Sequence, residues 1–343
     1  MEMELPRAIE DTSGTAVASA RPSFTEFVLH AGDGVPLAAN LHAPGGPARG
    51  TLILHAGAAT PQRFYRPFAS FLAENGVRVV TYDYRGVGRS RPASLRGYRA
   101  TMTEWAHLDA RAAHAYVREH FGDRPVAILG HSFGGQLVGL IDEARDVAGA
   151  IMVAAQFGYY GNWPPLGRLR YGLTWRALVP TLTAALGYLP GRAGLGEDLP
   201  RGVVEEWARW CLHPDYLISG HPDAAARFAR FDRPTAFYSF TDDPLAPLRA
   251  VRALRVRLTS AKLEHRRVDP SLVGAGPIGH HGFFRSKCRE PLWTETLAFL
   301  TDVFEGRAPR KVRRPSPSLS PFESWDVRDE DLLADLRGCR SRP

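Results

Sequence analysis

Val126-Ala127-Ile128-Leu129-Gly130-His131-Ser132-Phe133-Gly134-Gly135 stands in the first half of the chain. Val126 to Leu129 is an apolar run of strand length that stops at a glycine, and Gly130 to Gly134 has the G-x-S-x-G spacing of a sharp turn from a strand into a helix. Such a turn presents a serine hydroxyl at its tip. The serine backbone is strained there, and the positions two before and two after it must be small for strand and helix to approach, as Gly130 and Gly134 are. A tight turn with an incidental serine is the plain alternative, and the rest of the chain decides between the two.

Upstream, Phe24 to His30 and Pro36 to His42 flank Asp33-Gly34 and predict a hairpin. Thr51 to His55 is a short apolar strand ending in His55-Ala56-Gly57-Ala58-Ala59. Phe64, Phe68 and Phe71 share one face of a helix expected over Phe64 to Glu74, which Asn75-Gly76 ends. Val77 to Tyr82 is the next strand and runs into Asp83 to Ser90. Thr103 to Phe121 has helical spacing, and a further helix is expected from Gln136 to Arg145, before a buried strand over Ala148 to Ala155. Strand and helix alternate, the pattern of a parallel sheet covered on both faces.

The rhythm breaks at Gln156. To Phe231 the chain is rich in aromatics and proline, with helix-like pieces and no strand pattern, which predicts an inserted helical cap. Alternation resumes with a strand over Pro234 to Phe240, a helix over Pro247 to Leu258, a strand near Leu263 to Val268 and a helix from Pro291 to Phe304. The expected organisation is a mobile segment at 1–22, a core in two parts at 23–155 and 232–305, a cap at 156–231, and a disordered basic, Pro/Ser-rich tail at 306–343. Within that tail only Asp329 to Leu336 has helical character.

A serine hydroxyl is a poor nucleophile, so it needs a histidine to take its proton and a carboxylate to orient that histidine. In an alternating fold both should follow the serine, on loops at the carboxyl ends of later strands. Thr241-Asp242-Asp243-Pro244 leaves the strand ending at Phe240, and Gly279-His280-His281-Gly282 precedes the last helix. The order Ser132, Asp243, His280 is the one such a site requires.

These segments resemble the α/β-hydrolase superfamily. Its elbow stands at Gly130 to Gly134, its D-x-R-G-x-G-x-S segment at Asp83 to Ser90, its D-x-x-x-P acid loop at Asp243 to Pro247, and its late G-H loop at Gly279-His280. The resemblance runs from Phe24 to Phe304. Pro61 to Tyr65, Leu199 to Gly202, Glu206 to Trp210 and Gly282 to Arg285 look like a hydrolase branch near the serine-aminopeptidase and lysophospholipase-like group. The resemblance implies a mostly parallel sheet flanked by helices with an inserted cap. It also implies Ser132 as nucleophile, His280 as general base and then acid, and Asp243 as the orienting carboxylate. The oxyanion would be held by the N–H of Phe133 and by one from the loop after Leu54, Gly57 first and Ala58 second. Where the superfamily often has His-Gly, this chain has His55-Ala56-Gly57. Asp243 is preferred to Asp242 because it stands four before Pro247, and His280 to His281 because it follows Gly279.

The other chemistry-bearing residues have plainer readings. Asp83 and Arg85 read as an acid-base pair pinning the loop beside the site, His55 as a packed strand-end residue, and the remaining histidines as surface residues. Cys211, near His213, reads as an ordinary half-buried cysteine. Cap aromatics are core or lid material, with some lining an apolar pocket.

Composition narrows the classes. The chain has 343 residues, and 43 Lys and Arg against 36 Asp and Glu give a formal charge of +7, part of it in the tail at Arg307 to Arg314. A basic tail without a basic face and stacking aromatics does not read as a nucleic-acid surface. Three scattered cysteines, Cys211, Cys288 and Cys339, suit neither a disulfide framework nor a metal site, and no cofactor is implied. The acidic N-terminus has no signal-like apolar region, and no run reaches the roughly 20 residues of a membrane span. The expectation is a cytoplasmic enzyme with a small-molecule substrate, hydrolysing an ester, thioester or amide. Acyl transfer or a lyase or cyclase step on the same triad is the alternative chemistry, and a non-catalytic binding protein the alternative class.

Overall fold

The structure, a computed structural model, describes residues 21–194 and 196–312. Nearly all of the expected mobile segment, the tail beyond residue 312, the helix expected at Asp329 to Leu336, and Cys339 lie outside the described residues.

The strands are β1 Ser23–His30, β2 Pro36–Ala43, β3 Gly50–His55, β4 Val77–Tyr82, β5 Val126–His131, β6 Gly149–Val153, β7 Tyr188–Leu189, β8 Leu199–Pro200, β9 Pro234–Phe240 and β10 Lys262–Val268. Eight of them form one sheet in the order β1-β2-β4-β3-β5-β6-β9-β10. β1 and β2 are the antiparallel edge, and from β4 to β10 every pair is parallel. β3 and β6 are buried at every position, which is why they read as unbroken apolar runs instead of alternating ones.

The helices are α1 Arg66–Glu74, α2 Met102–Glu104, α3 Arg111–Phe121, α4 Pro165–Leu173, α5 Val179–Leu186, α6 Arg201–Leu212, α7 Ala224–Arg230, α8 Leu248–Arg255, α9 Pro270–Val273 and α10 Thr294–Phe304. Phe68 and Phe71 of α1 pack on Trp293, just ahead of α10, and on Phe283 and Phe284, which gathers the last loop against the first helix. Gly50 lets α10 come close: a Cβ there would lie 2.6 Å from the Phe304 ring.

Two expectations need correction. The segment after the elbow is not one helix over Gln136 to Arg145 but two tight 3-10 segments, Ser132–Gly139 and Asp142–Asp146. Glycine favours helix poorly, and these glycines serve packing: a Cβ would stand 2.6 Å from Ala155 Cβ at Gly135 and 2.3 Å from the Phe228 ring at Gly139. The region between β6 and β9 is mainly helical but not free of strands, because β7 and β8 pair antiparallel. Strands of two residues are too short to show a period, and the left-handed Gly187 and Gly194, at φ +81° and +97°, let the chain turn back.

Candidate active site

The loops after β3, β5, β9 and β10 converge at the carboxyl edge of the sheet, where β3 and β5 lie side by side and the chain changes direction across the sheet. Ser132 sits directly after β5 with φ +51°, a left-handed conformation costly for a residue with a Cβ. The neighbouring glycines make it possible. A Cβ on Gly130 would lie 2.4 Å from the Gly134 backbone, and one on Gly134 only 2.2 Å from the His55 carbonyl oxygen.

The doubled residues take different partners. Asp243 is buried, and its Oδ2 lies 2.8 Å from His280 Nδ1. Its Oδ1 accepts the N–H of Leu245 at 2.8 Å and of Ala246 at 3.1 Å, so the carboxylate is held from both sides. Asp242 turns to the backbone of the histidine loop, accepting the N–H of Ile278 at 2.8 Å and of Gly279 at 3.0 Å. A carboxylate on Nδ1 leaves His280 Nε2 as the basic nitrogen. Among the described residues His281 has no hydrogen bond or ion pair to a carboxylate; its ring meets Phe64 edge-on at 5.8 Å. Burial, and then the neighbouring His280, push His281 down to about 4, so it is neutral near pH 7.

Ser132, His280 and His281 line one cavity of about 130 Å³ with Trp163, Tyr171, Trp175 and Trp207. Among the described residues Ser132 Oγ has no hydrogen bond to His280. The two side chains share the cavity without being joined, a common arrangement before substrate binds.

The oxyanion loop corrects the preference for Gly57. Its N–H donates to Tyr65 Oη at 2.9 Å and is therefore already used. Ala58 also lines the cavity, and among the described residues its N–H has no acceptor, which makes it the available donor from this loop. Phe133 is the second residue of its 3-10 segment, and an N–H that early in a helix has no partner within it.

Tyr65 and His131, to which the sequence assigns no role at the site, tie three loops together. His131 Nε2 lies 2.9 Å from the His280 carbonyl oxygen, which can only accept, so Nε2 carries the proton. His131 Nδ1 is then the acceptor for Tyr65 O–H at 2.8 Å, while Tyr65 Oη takes the Gly57 N–H. The chain runs Gly57 to Tyr65 to His131 to His280, with every donor assigned. Burial, with His280 and His281 close by, holds the His131 imidazole well below its ordinary value, so it stays neutral as these bonds require. Tyr65→Phe should leave a buried N–H and a buried ring nitrogen unpartnered and lower the unfolding free energy by about 2–6 kcal/mol, at about 1–3 kcal/mol for each orphan, read from urea midpoints.

The expected pairing of Asp83 with Arg85 is also corrected. Arg85 is buried and bonds Asp109 and Asp33, at 2.7 Å to each. Asp83 instead accepts the N–H of Gln62 at 2.6 Å and of Arg89 at 2.9 Å. Gly88 explains the closeness, since a Cβ there would lie 2.5 Å from the Asp83 carboxyl. His42, His114 and His131 are buried, against the surface expected for them, and His55 packs between Tyr82 and His114. Cys211 is fully buried, not half-buried, and lines the cavity; burial pushes its thiol well up.

Comparison with known proteins agrees with this architecture. A family model described as serine aminopeptidase, S33, matches residues 46–193. A relative from Variovorax paradoxus (strain S110), named as a carbamate hydrolase, RutD, is 35% identical over 125 residues, which is 35% of this chain and 43% of that protein, so the match spans less than half of the relative's length. A non-heme haloperoxidase of Rhodococcus erythropolis is 29% identical over 227 residues, 59% of this chain and 77% of that one. Among solved structures, a highly thermostable carboxyl esterase from Bacillus coagulans superposes with a TM-score of 0.56 at 16% identity, over 82% of this chain and 99% of that chain, a likeness of fold. With its mostly parallel eight-stranded sheet, its helical layers and these likenesses, the chain has the α/β-hydrolase fold.

Proposed function

We propose that this protein is a serine hydrolase that cleaves an ester of a small, largely apolar molecule through an acyl-enzyme on Ser132. The observation that carries the reading is the 2.8 Å contact of buried Asp243 with His280 Nδ1, since His280 lines the cavity that also holds the strained Ser132. His280 Nε2 takes the Ser132 proton as Oγ attacks the carbonyl, and Asp243 stabilises the imidazolium that forms. The N–H groups of Phe133 and Ala58 receive the oxyanion; each such donor typically contributes about 3 kcal/mol to lowering the barrier. His280 then protonates the leaving group, and a water activated by the same nitrogen releases the acid. Residues 156–231 act as the cap, contributing Trp163, Tyr171, Trp175 and Trp207 to the cavity wall.

The size of the cavity sets the acyl group. A space of about 130 Å³ is close to that of an engineered apolar cavity of about 150 Å³ that takes one benzene. Hydrolysis of p-nitrophenyl esters from acetate to dodecanoate should therefore peak at or below about six carbons, an estimate from that benzene-sized volume. The likeness to RutD adds carbamate esters to the panel. An aryl or alkyl phosphonate should mark Ser132 and stop turnover. The proposal is refuted if the protein shows no hydrolysis above the blank and no Ser132 adduct.

A further inference from the structure

The helical stretch from α4 to α5 is apolar on both sides, and only one side is covered. A wider π turn, Thr174–Leu178, joins α4 to α5, so the chain stays helical from Pro165 to Leu186. At 1.5 Å per residue that is a rod of about 33 Å. Tyr171, Trp175, Val179 and Thr183 recur every fourth residue; the first two line the cavity, and Val179 and Thr183 are buried. Opposite Tyr171, Leu166 is 80% exposed, Leu169 61% and Leu173 58%, and Leu178 further along is 44% exposed. Four of the seven large apolar side chains found exposed in the described residues thus lie on one helical segment. Single exposed leucines are ordinary, but a stripe of them marks a face that meets something.

Charge says what kind of surface. From Val147 to Gly196 the sequence has no Asp or Glu, while Arg168, Arg170, Arg176 and Arg192 all carry positive charge. Arg170 and Arg176 are exposed beside the leucines. Glu205, which approaches from α6, is already bonded to Thr183 and Arg201. Leucines on one face with arginines alongside, and no acid to repel phosphate, form the composition of a helix that lies in the interface of an anionic bilayer. A second copy fits less well, because a two-fold contact through this face would set Arg170 and Arg176 near their own symmetry mates. Among the described residues no helix is long and apolar enough to cross a membrane, so the contact is one of surface adsorption.

We infer that the outer face of Pro165 to Leu186 docks on an anionic lipid surface, with Leu166, Leu169 and Leu173 entering the headgroup boundary and the arginines meeting lipid phosphate. The site is independent of the chemistry proposed for Ser132. Docking would bring the roof of the cavity, through Tyr171 and Trp175, next to the lipid.

The test is co-sedimentation of the full chain with vesicles of phosphatidylcholine alone and with phosphatidylglycerol added. The wild type should sediment with the anionic vesicles, less with the neutral ones, and progressively less as salt is raised. The variant Leu166→Gln/Leu169→Gln/Leu173→Gln keeps the charge and alters only exposed side chains. It should partition at least about ten-fold less, with its melting temperature by circular dichroism unchanged. The inference is overturned if the wild type stays in the supernatant with both vesicles, if it binds both equally, or if the variant sediments as well as the wild type. A wild-type dimer in sedimentation velocity that the variant loses would also overturn it, by giving the face to a second copy.

Discussion

Ser132→Ala should lower kcat on the best p-nitrophenyl ester by at least about 10⁴-fold, since losing the proposed nucleophile disables the histidine and the carboxylate with it. The fold should survive. Alanine removes one oxygen, Gly130 and Gly134 still allow the close approach at the elbow, and Ser132 Oγ makes no hydrogen bond among the described residues that folding would miss. The expected residue of activity is what the Phe133 and Ala58 donors supply to an attacking water. Activity in the variant near that of the wild type would move the nucleophile elsewhere. Cys211 would be the first place to look because it lines the cavity, although burial holds its thiol in the protonated, unreactive form.

The two aspartates should separate just as clearly. Asp243→Asn keeps the size of the side chain but places a neutral amide against His280 Nδ1, which favours the wrong tautomer and removes the charge that stabilises the imidazolium. A fall in kcat of about 10⁴-fold is expected. Asp242→Asn should act differently, because Asp242 accepts two backbone N–H groups from the histidine loop and does not touch His280. An amide oxygen can keep one of those bonds, so the expected loss is about 0.5–1.5 kcal/mol of stability, with kcat changed by less than about ten-fold, the factor for 1.4 kcal/mol. Both kcat values and urea midpoints should be measured on the same preparations. A larger loss of kcat in Asp242→Asn than in Asp243→Asn would reverse the assignment.

Much of the fold was legible because its signals are local. The apolar runs of β3, β5 and β6 register burial on both faces. Each lies within one short segment, so no distant residue is needed to read it. The helix expected over Gln136 to Arg145 is not formed, because Gly134, Gly135 and Gly139 let distant elements approach, and no local signal shows that. The β7–β8 pair escaped because two residues carry no period.

The alternation of strand and helix, the glycine spacing that permits Ser132 at φ +51°, and the order of the serine, acid and histidine loops are all written in the sequence. All three follow from sterics and periodicity over a few residues. The partners of these groups follow from the packing of the fold. Asp243, not Asp242, reaches His280, and Arg85 bonds Asp109 and Asp33 instead of Asp83. The Gly57 N–H is consumed by Tyr65, and His131 is joined to a carbonyl 149 residues away. Exposure of the α4 leucines belongs to the same class, since periodicity shows that a helix has an apolar face but not whether the fold covers it. A hydrogen bond requires two groups within about 3 Å and correctly aligned, and for groups far apart in the chain only the packing of the elements that carry them sets that distance.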